Sequence, residues 1–221
     1  MRFALLAGQR VEATPKLRAT CPGCGAEVVS KCGKYITWHW AHVSRIHCDP
    51  WWESETEWHR AWKNRFPTEW QEIPARDAES GELHIADVKT AFGLVLEFQR
   101  STITLDEIKA REHFHQKMVW VVDGCKNDAD RFNFSNMREK IGKDGTAQFQ
   151  WFGKSTLFLR WHTFKPVFVD FGAEHGFWRI LQFDPKTKRG LAGIVDVAAF
   201  VKLASSGTSD FSAAGGPASI W

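Results

Sequence analysis

The stretch "HIADVKTAFGLVLEFQRS", residues 84–101, decides the fold. It reads as a tight β-hairpin, with Asp87 on one strand and Glu97, Phe98 and Gln99 on the next. Residues two apart on a strand share a face, so Glu97 and Gln99 point the same way, with Asp87 across the hairpin. Leu83, Ile85 and Asp87 fall on one face of the first strand, and Glu97 follows the apolar run "LVL". Charges set in apolar runs are costly unless paired or bound to a metal. Lys89 shares the Asp87 face and reads equally as a catalytic lysine or an ion-pair partner.

Upstream lies "ESETEWHRAWK", residues 53–63, which reads as a helix. Trp51, Trp58, Trp62 and Phe66 form one apolar stripe on a helical wheel, and Pro67 marks the end. Glu55 and His59 flank the stripe, while Glu57 falls on the solvent side. Lys63 and His59 are placed to hold a phosphate, a water or the Glu55 carboxylate. Acidic groups gathered near a hairpin are what a hard cation such as magnesium needs. An enzyme that cuts phosphodiesters uses that cation to activate water and neutralise the departing oxygen.

Further strands are expected near 71–74, 83–89 and 94–99, and at Met118–Asp123, whose unbroken apolar run suits a buried strand. Between them "TLDEIKAREHFHQ" offers Thr104 and Glu107 as a capping box opening a helix. Arg111 on that helix either faces substrate or caps a neighbouring acid. Beyond Gly124 the pattern weakens. "FQWFGK", "TLFLRWH", "KPVFVDFG" and "GFWRILQFD" read as strands, and the small polar stretch from 206 to 221 as a flexible tail.

The first fifty residues are rich in Gly, Cys and His. Cys21-Pro-Gly-Cys24 is a knuckle in which two thiolates two residues apart clasp one zinc. The second half-site comes from "HWAHVSRIHC", which offers His39, His42, His47 and Cys48. His42 with Cys48, or His39 with His42, would complete a four-coordinate structural site, and spacing alone does not choose. Cys32 and Cys125 read as small packing residues.

The chain has 221 residues, enough for one good-sized domain with a small appendage, and a net charge of +3, too mild to demand a polyanion partner. It holds 12 Trp and 17 Phe but a single Tyr, and most of these rings are expected in the core. No stretch has the length of a membrane span, and "MRFALLAGQRVEA" reads as a first strand rather than a signal peptide. A cytosolic protein is expected, where paired cysteines point to metal more than to disulfide.

Taken in order, these pieces resemble the CoiA-like competence proteins, a family of the PD-(D/E)XK nuclease superfamily. The family's Cys-Pro-x-Cys is Cys21–Cys24; its His-Phe-Ala-His is His39-Trp40-Ala41-His42, followed by Cys48. Its Glu-Ser-x-x-His-x-x-x-Lys is Glu55 through His59 to Lys63, with Thr56 for the Ser. Ala86-Asp87-Val88 and Glu97-Phe98-Gln99-Arg100-Ser101 follow, then Arg111 and Val119-Trp120. The resemblance covers roughly residues 1–123. It implies an α/β, restriction-endonuclease-like mixed sheet flanked by helices, preceded by a small zinc-binding unit at 1–50. The nuclease-like domain would run over 51–205, with a β-rich C-terminal extension. It also implies a magnesium- or manganese-dependent deoxyribonuclease handling incoming or recombining DNA, with recombination proteins as partners. Asp87 and Glu97 would bind the cation, Glu55 would add a ligand and Gln99 would place the water. His59, Lys63, Lys89, Ser101 and Arg111 would support them. Gln99 stands where the superfamily usually has lysine, so Lys89 or Lys63 would supply the positive charge. The rival expectations are an inactive nuclease-fold DNA-binding protein and a zinc scaffold.

Overall fold

The computed structural model describes residues 1–44, 48–77, 80–152, 157–161, 165–208 and 210–211. They divide into two compact units, Met1–Lys89 and Thr90–Trp221.

The first unit opens with five short strands: β1 (Phe3–Leu6), β2 (Gln9–Glu12), β3 (Arg18–Thr20), β4 (Glu27–Lys31) and β5 (His39–His42). They form an antiparallel sheet in the order β2-β1-β3-β4-β5. Its small core is Ala4, Ala13, Ala19, Val28 and Trp40, with Cys21 buried among them. So few apolar residues make a thin core, the setting in which a metal stabilises a small fold. The helix α1 (Glu57–Lys63) follows, then β6 (Gln71–Arg76) and β7 (Leu83–Lys89), which pair antiparallel.

The second unit contains β8 (Val95–Gln99), α2 (Leu105–His115), β9 (Met118–Asp123), α3 (Asp128–Met137) and β10 (Thr146–Gln150). Then come α4 (Leu157–Arg160), β11 (Val167–Asp170), α5 (Gly172–His175), β12 (Phe177–Asp184), β13 (Arg189–Val195) and α6 (Val197–Ser205). Its strands run in the order β10-β13-β12-β11-β9-β8. The pairs β8/β9 and β9/β11 are parallel and the others antiparallel, so this is a large mixed sheet with helices around it. Every residue of β8 and β9 is buried, as expected for parallel strands covered on both faces.

Aromatic rings fill this unit. Phe134 of α3 packs with Phe149, Phe158, Phe171 and Trp178. Phe200 of α6 packs with Phe168, Phe177 and Phe211. Phe211 lies within the stretch expected to be a flexible tail, yet it is fully buried; residues 212–221 lie outside the described residues. The reading of "TLFLRWH" as a strand is corrected at Leu157–Arg160, which form a helical turn. Its apolar run is too short for periodicity to separate strand from helix. No helix among the described residues is long and apolar enough to cross a membrane.

Candidate functional site

The knuckle after β3 is closed by backbone hydrogen bonds. Gly25 N–H donates to Cys21 O at 3.0 Å and Cys21 N–H to Ala26 O at 2.8 Å. Gly25 has φ +75, a left-handed conformation that glycine adopts without strain. The Cys24 and His42 donors then meet, Sγ to Nε2, at 3.3 Å, and Cys21 Sγ lies 3.8 Å from Cys48 Sγ. All four donor atoms fall within 4.8 Å of one another. A tetrahedral zinc with Zn–S bonds of about 2.3 Å has sulfur–sulfur edges of about 3.8 Å, so the spacing fits. The cluster could hold a metal such as zinc.

Burial pushes the Cys21 and Cys48 thiols up, and for Cys48 the neighbouring Cys21 adds to it. Three sulfurs gathered in one half-buried cluster need a cation to be held as thiolates. His39 stands outside the cluster, its Nδ1–H donating to Thr37 O at 2.8 Å. It lies three residues before His42 on β5, hence on the opposite strand face. His47 lies outside the described residues. Cys32 packs against the small front core.

The metal loop is fastened to β7. Asp49, next after Cys48, accepts Ile85 N–H at 2.9 Å, and its other oxygen lies 3.1 Å from His84 Nδ1. His84 Nε2 lies 3.0 Å from Glu82, and Trp51 stacks parallel on the imidazole. Gly23, inside the knuckle, sits so close to Leu83 and Ile85 that an added Cβ would meet Leu83 at 3.0 Å. The strand that carries Asp87 is therefore also a wall of the metal unit.

Helix α1 begins later than its sequence suggests. Thr56 is its N-cap, and Thr56 and His59 form a capping box, so Glu55 precedes the helix instead of riding on it. His59 is buried in that cap, with Nδ1 accepting Thr56 N–H at 3.3 Å. Glu55 nonetheless turns inward, 2.9 Å from Lys63 Nζ and 3.3 Å from Arg60 Nε. Glu57 is exposed and accepts the Thr37 hydroxyl at 2.8 Å. Trp62 and Phe66 are buried as the stripe requires, whereas Trp51 lies before the helix.

Lys63 is the centre of the cluster. Its ammonium lies 2.9 Å from Glu55, 2.9 Å from Glu72 and 3.9 Å from Asp87, with the side chain only 2% exposed. Burial alone would lower its pKa; the carboxylates of Glu72, Glu55 and Asp87 outweigh burial and hold it above the ordinary lysine value. Glu72 is marked by no pattern in the sequence. It has φ +48, in the left-handed region, and β6/β7 pairing steps from Gln71↔Val88 to Ile73↔Ala86 around it. That conformation, with the register unchanged on either side, goes with a carboxylate turned to Lys63 and to the N–H groups of Arg2 and Phe3, at 2.7 and 2.9 Å. Burial opposes ionisation of Glu72, but Lys63 and those two N–H donors bring its pKa down to about 2.

Along β7 the fully buried set is His84, Ala86 and Val88, while Ile85, Asp87 and Lys89 are half-buried. The expectation of a closed apolar setting for Asp87 is thus corrected: its side chain is 24% exposed.

In the second unit, Glu97 is buried on β8 and held by Arg111 of α2, Nη1 to Oε2 at 3.3 Å, with His115 Nε2 3.7 Å from its other oxygen. Arg111 also donates to Glu107 at 2.6 Å, so it caps neighbouring acids. Gln99 donates from Nε2 to the carbonyl and hydroxyl of Ser101, at 3.1 and 2.9 Å. Thr104 accepts Glu107 N–H at 3.2 Å, the first half of the expected capping box.

Residues 9–50 match the family model of the competence protein CoiA, N-terminal domain. That stretch is CoiA-like. No curated protein and no solved structure matches the chain. All four clustered donors of the CoiA-like front unit, Cys21, Cys24, His42 and Cys48, lie inside the matched residues. Glu72, Asp49 and His84 are the site residues that sequence reasoning missed. Only the Asp directly after Cys48 hinted at one of them.

Proposed function

We propose that this CoiA-like protein is a metal-dependent DNA nuclease with a restriction-endonuclease-like core, hydrolysing phosphodiesters in DNA processing or recombination during competence. The observation that carries the reading is Lys63, a buried ammonium fixed by Glu55 and Glu72 and facing the half-open Asp87. A lysine is not buried among three carboxylates without reason, because each group loses its hydration. Two carboxylates are enough to neutralise it and fix its direction. The third, Asp87, faces the same ammonium with 24% of its side chain exposed.

Asp87 offers hard oxygens to a cation of the magnesium class, which suits their chemistry. Glu97 of β8 is the other carboxylate that the family resemblance assigns to a cation. When bound, such a cation lowers the pKa of water and offsets charge at phosphorus. The residues do the rest. Lys63 supplies the positive charge beside Asp87. Gln99, with its NH2 group committed to Ser101, acts on the attacking water through Oε1. Glu55 and Glu72 keep Lys63 protonated and in place, and Lys89 and His59 support the same strand and helix.

One observation favours a rival, a DNA-binding protein that has kept the fold and lost cleavage: the ion pair between Glu97 and Arg111. An arginine already neutralises the carboxylate that a cation would use. Cleavage of DNA that requires magnesium or manganese and vanishes in Asp87→Ala supports the nuclease. Tight DNA binding without cleavage supports the rival.

A further inference from the structure

The connection between β4 and β5 carries the most exposed aromatic side chain of the described residues. Tyr35 is 88% exposed, and Ile36 and Trp38 beside it are 49% and 44% exposed. None of these belongs to the metal centre or to the Lys63 cluster. Large rings in water are costly to leave uncovered and mark a surface meant for a partner.

The loop is held in shape. Trp38 Nε1–H donates across it to Gly33 O at 3.2 Å. Gly33 is packed so closely on Ile36 that a Cβ there would meet it at 3.1 Å. Thr37 is tied to Glu57, and the Arg60 guanidinium donates to Trp38 O, so the end of the loop is pinned to α1. A partner meeting this loop has little ordering to impose on it.

Its charge says what that partner is. From Val28 to Cys48 the sequence has no Asp or Glu, while exposed Lys31 and Lys34 flank the rings. Lys34 Nζ stands 5.3 Å over the Tyr35 ring, a cation held beside an open aromatic face. Glu57, an acid that touches the loop from α1, is engaged by Thr37. Protein interfaces disfavour lysine around their aromatic anchors. Rings on a basic loop instead match a polyanion whose flat groups can stack. In a duplex the base faces are already stacked on one another, so only unpaired bases can lie on Tyr35 and Trp38.

We infer that the β4–β5 loop is a stacking platform for single-stranded nucleic acid, with bases on Tyr35 and Trp38 and phosphates near Lys31 and Lys34. This deepens the proposed DNA function and rests on it only for the identity of the polymer.

The test measures binding in the Asp87→Ala background, so loss of cleavage cannot be mistaken for loss of binding. The probes are oligo(dT), a duplex of equal length, and heparin, which is anionic but has no bases. Oligo(dT) should bind more tightly than duplex. Tyr35→Ala should weaken oligo(dT) binding by about tenfold, and Tyr35→Ala with Trp38→Ala by more, while heparin binding stays as it was. Lys31→Ala with Lys34→Ala should weaken both and flatten the salt dependence. The Tyr35 ring lies almost wholly in solvent, so Tyr35→Ala keeps the fold, checked by an unchanged melt. Oligo(dT) binding unaffected by Tyr35→Ala and by the double variant would overturn the platform. So would equal binding of duplex and single strand, or no binding at all.

Discussion

Lys63 and Glu72 meet at 2.9 Å, one from the last residue of a helix and the other from a left-handed residue within a strand. The helix end suits a lysine, but the conformation at Glu72 is not favourable for its own sake. The left-handed φ at Glu72 costs roughly 1 kcal/mol or more and persists only where its surroundings fix it. What fixes it is the carboxylate, shared between an ammonium and two backbone N–H groups. The same ammonium reaches Glu55 and Asp87.

Lys63→Met should therefore destabilise the first unit strongly, by about 3 to 5 kcal/mol in denaturant melts, since Glu55 and Glu72 would be left buried without the cation they share. Adding Glu55→Gln and Glu72→Gln to Lys63→Met should recover part of that loss. If Lys63→Met alone melts like the wild type, the carboxylates around it are not buried.

Acid stability follows from Glu72. Its folded pKa, about 2, lies below the unfolded carboxylate value of about 4.3. Its contribution is thus complete above that unfolded value and disappears as pH falls through about 2. The melting temperature of wild type should fall more steeply from about pH 5 to about pH 2 than that of Glu72→Gln. Parallel curves would contradict the pairing.

How much of this was legible in the sequence depends on which rule governs each piece. Strands β7 and β9 are bounded by their apolar runs, and the sequence reading finds both ends. The zinc set could have been narrowed by strand parity, since His39 and His42 are three residues apart on β5. Glu72 is hidden because its left-handed φ, which no residue pattern announces, sets the direction of its side chain. Glu55 reads as helical only while Thr56 is not taken as the cap, and its inward direction comes from Lys63 instead. The weakly amphipathic α3 shows only Phe134 to the core, whereas α6 carries Asp196 at its N-cap and buries Phe200 and Ala204 at helical spacing.

The front unit should carry about one zinc per chain by elemental analysis. Cys21→Ser and His42→Ala should each lower both zinc content and melting temperature, while His39→Ala should leave the zinc in place. Because Asp49 and Gly23 fasten the metal loop to β7, zinc loss should also loosen the strand bearing Asp87. Hydrogen exchange over 83–89 should then speed up. Unchanged protection there would separate the metal from the acidic cluster.

Glu55 and Glu57 differ in what they touch. Glu55→Gln should impair nuclease activity because it frees one side of Lys63, whereas Glu57→Gln should leave cleavage nearly intact. The reverse order would mean that Lys63 is not part of the reacting site.

The most direct measurement incubates linear, circular and single-stranded DNA with the purified chain, with and without magnesium or manganese, beside Asp87→Ala. The account predicts metal-dependent cleavage by wild type and none by Asp87→Ala, whose fold should survive. Cleavage that is equal in the two proteins, or absent from wild type with every form of DNA and either metal, would contradict it.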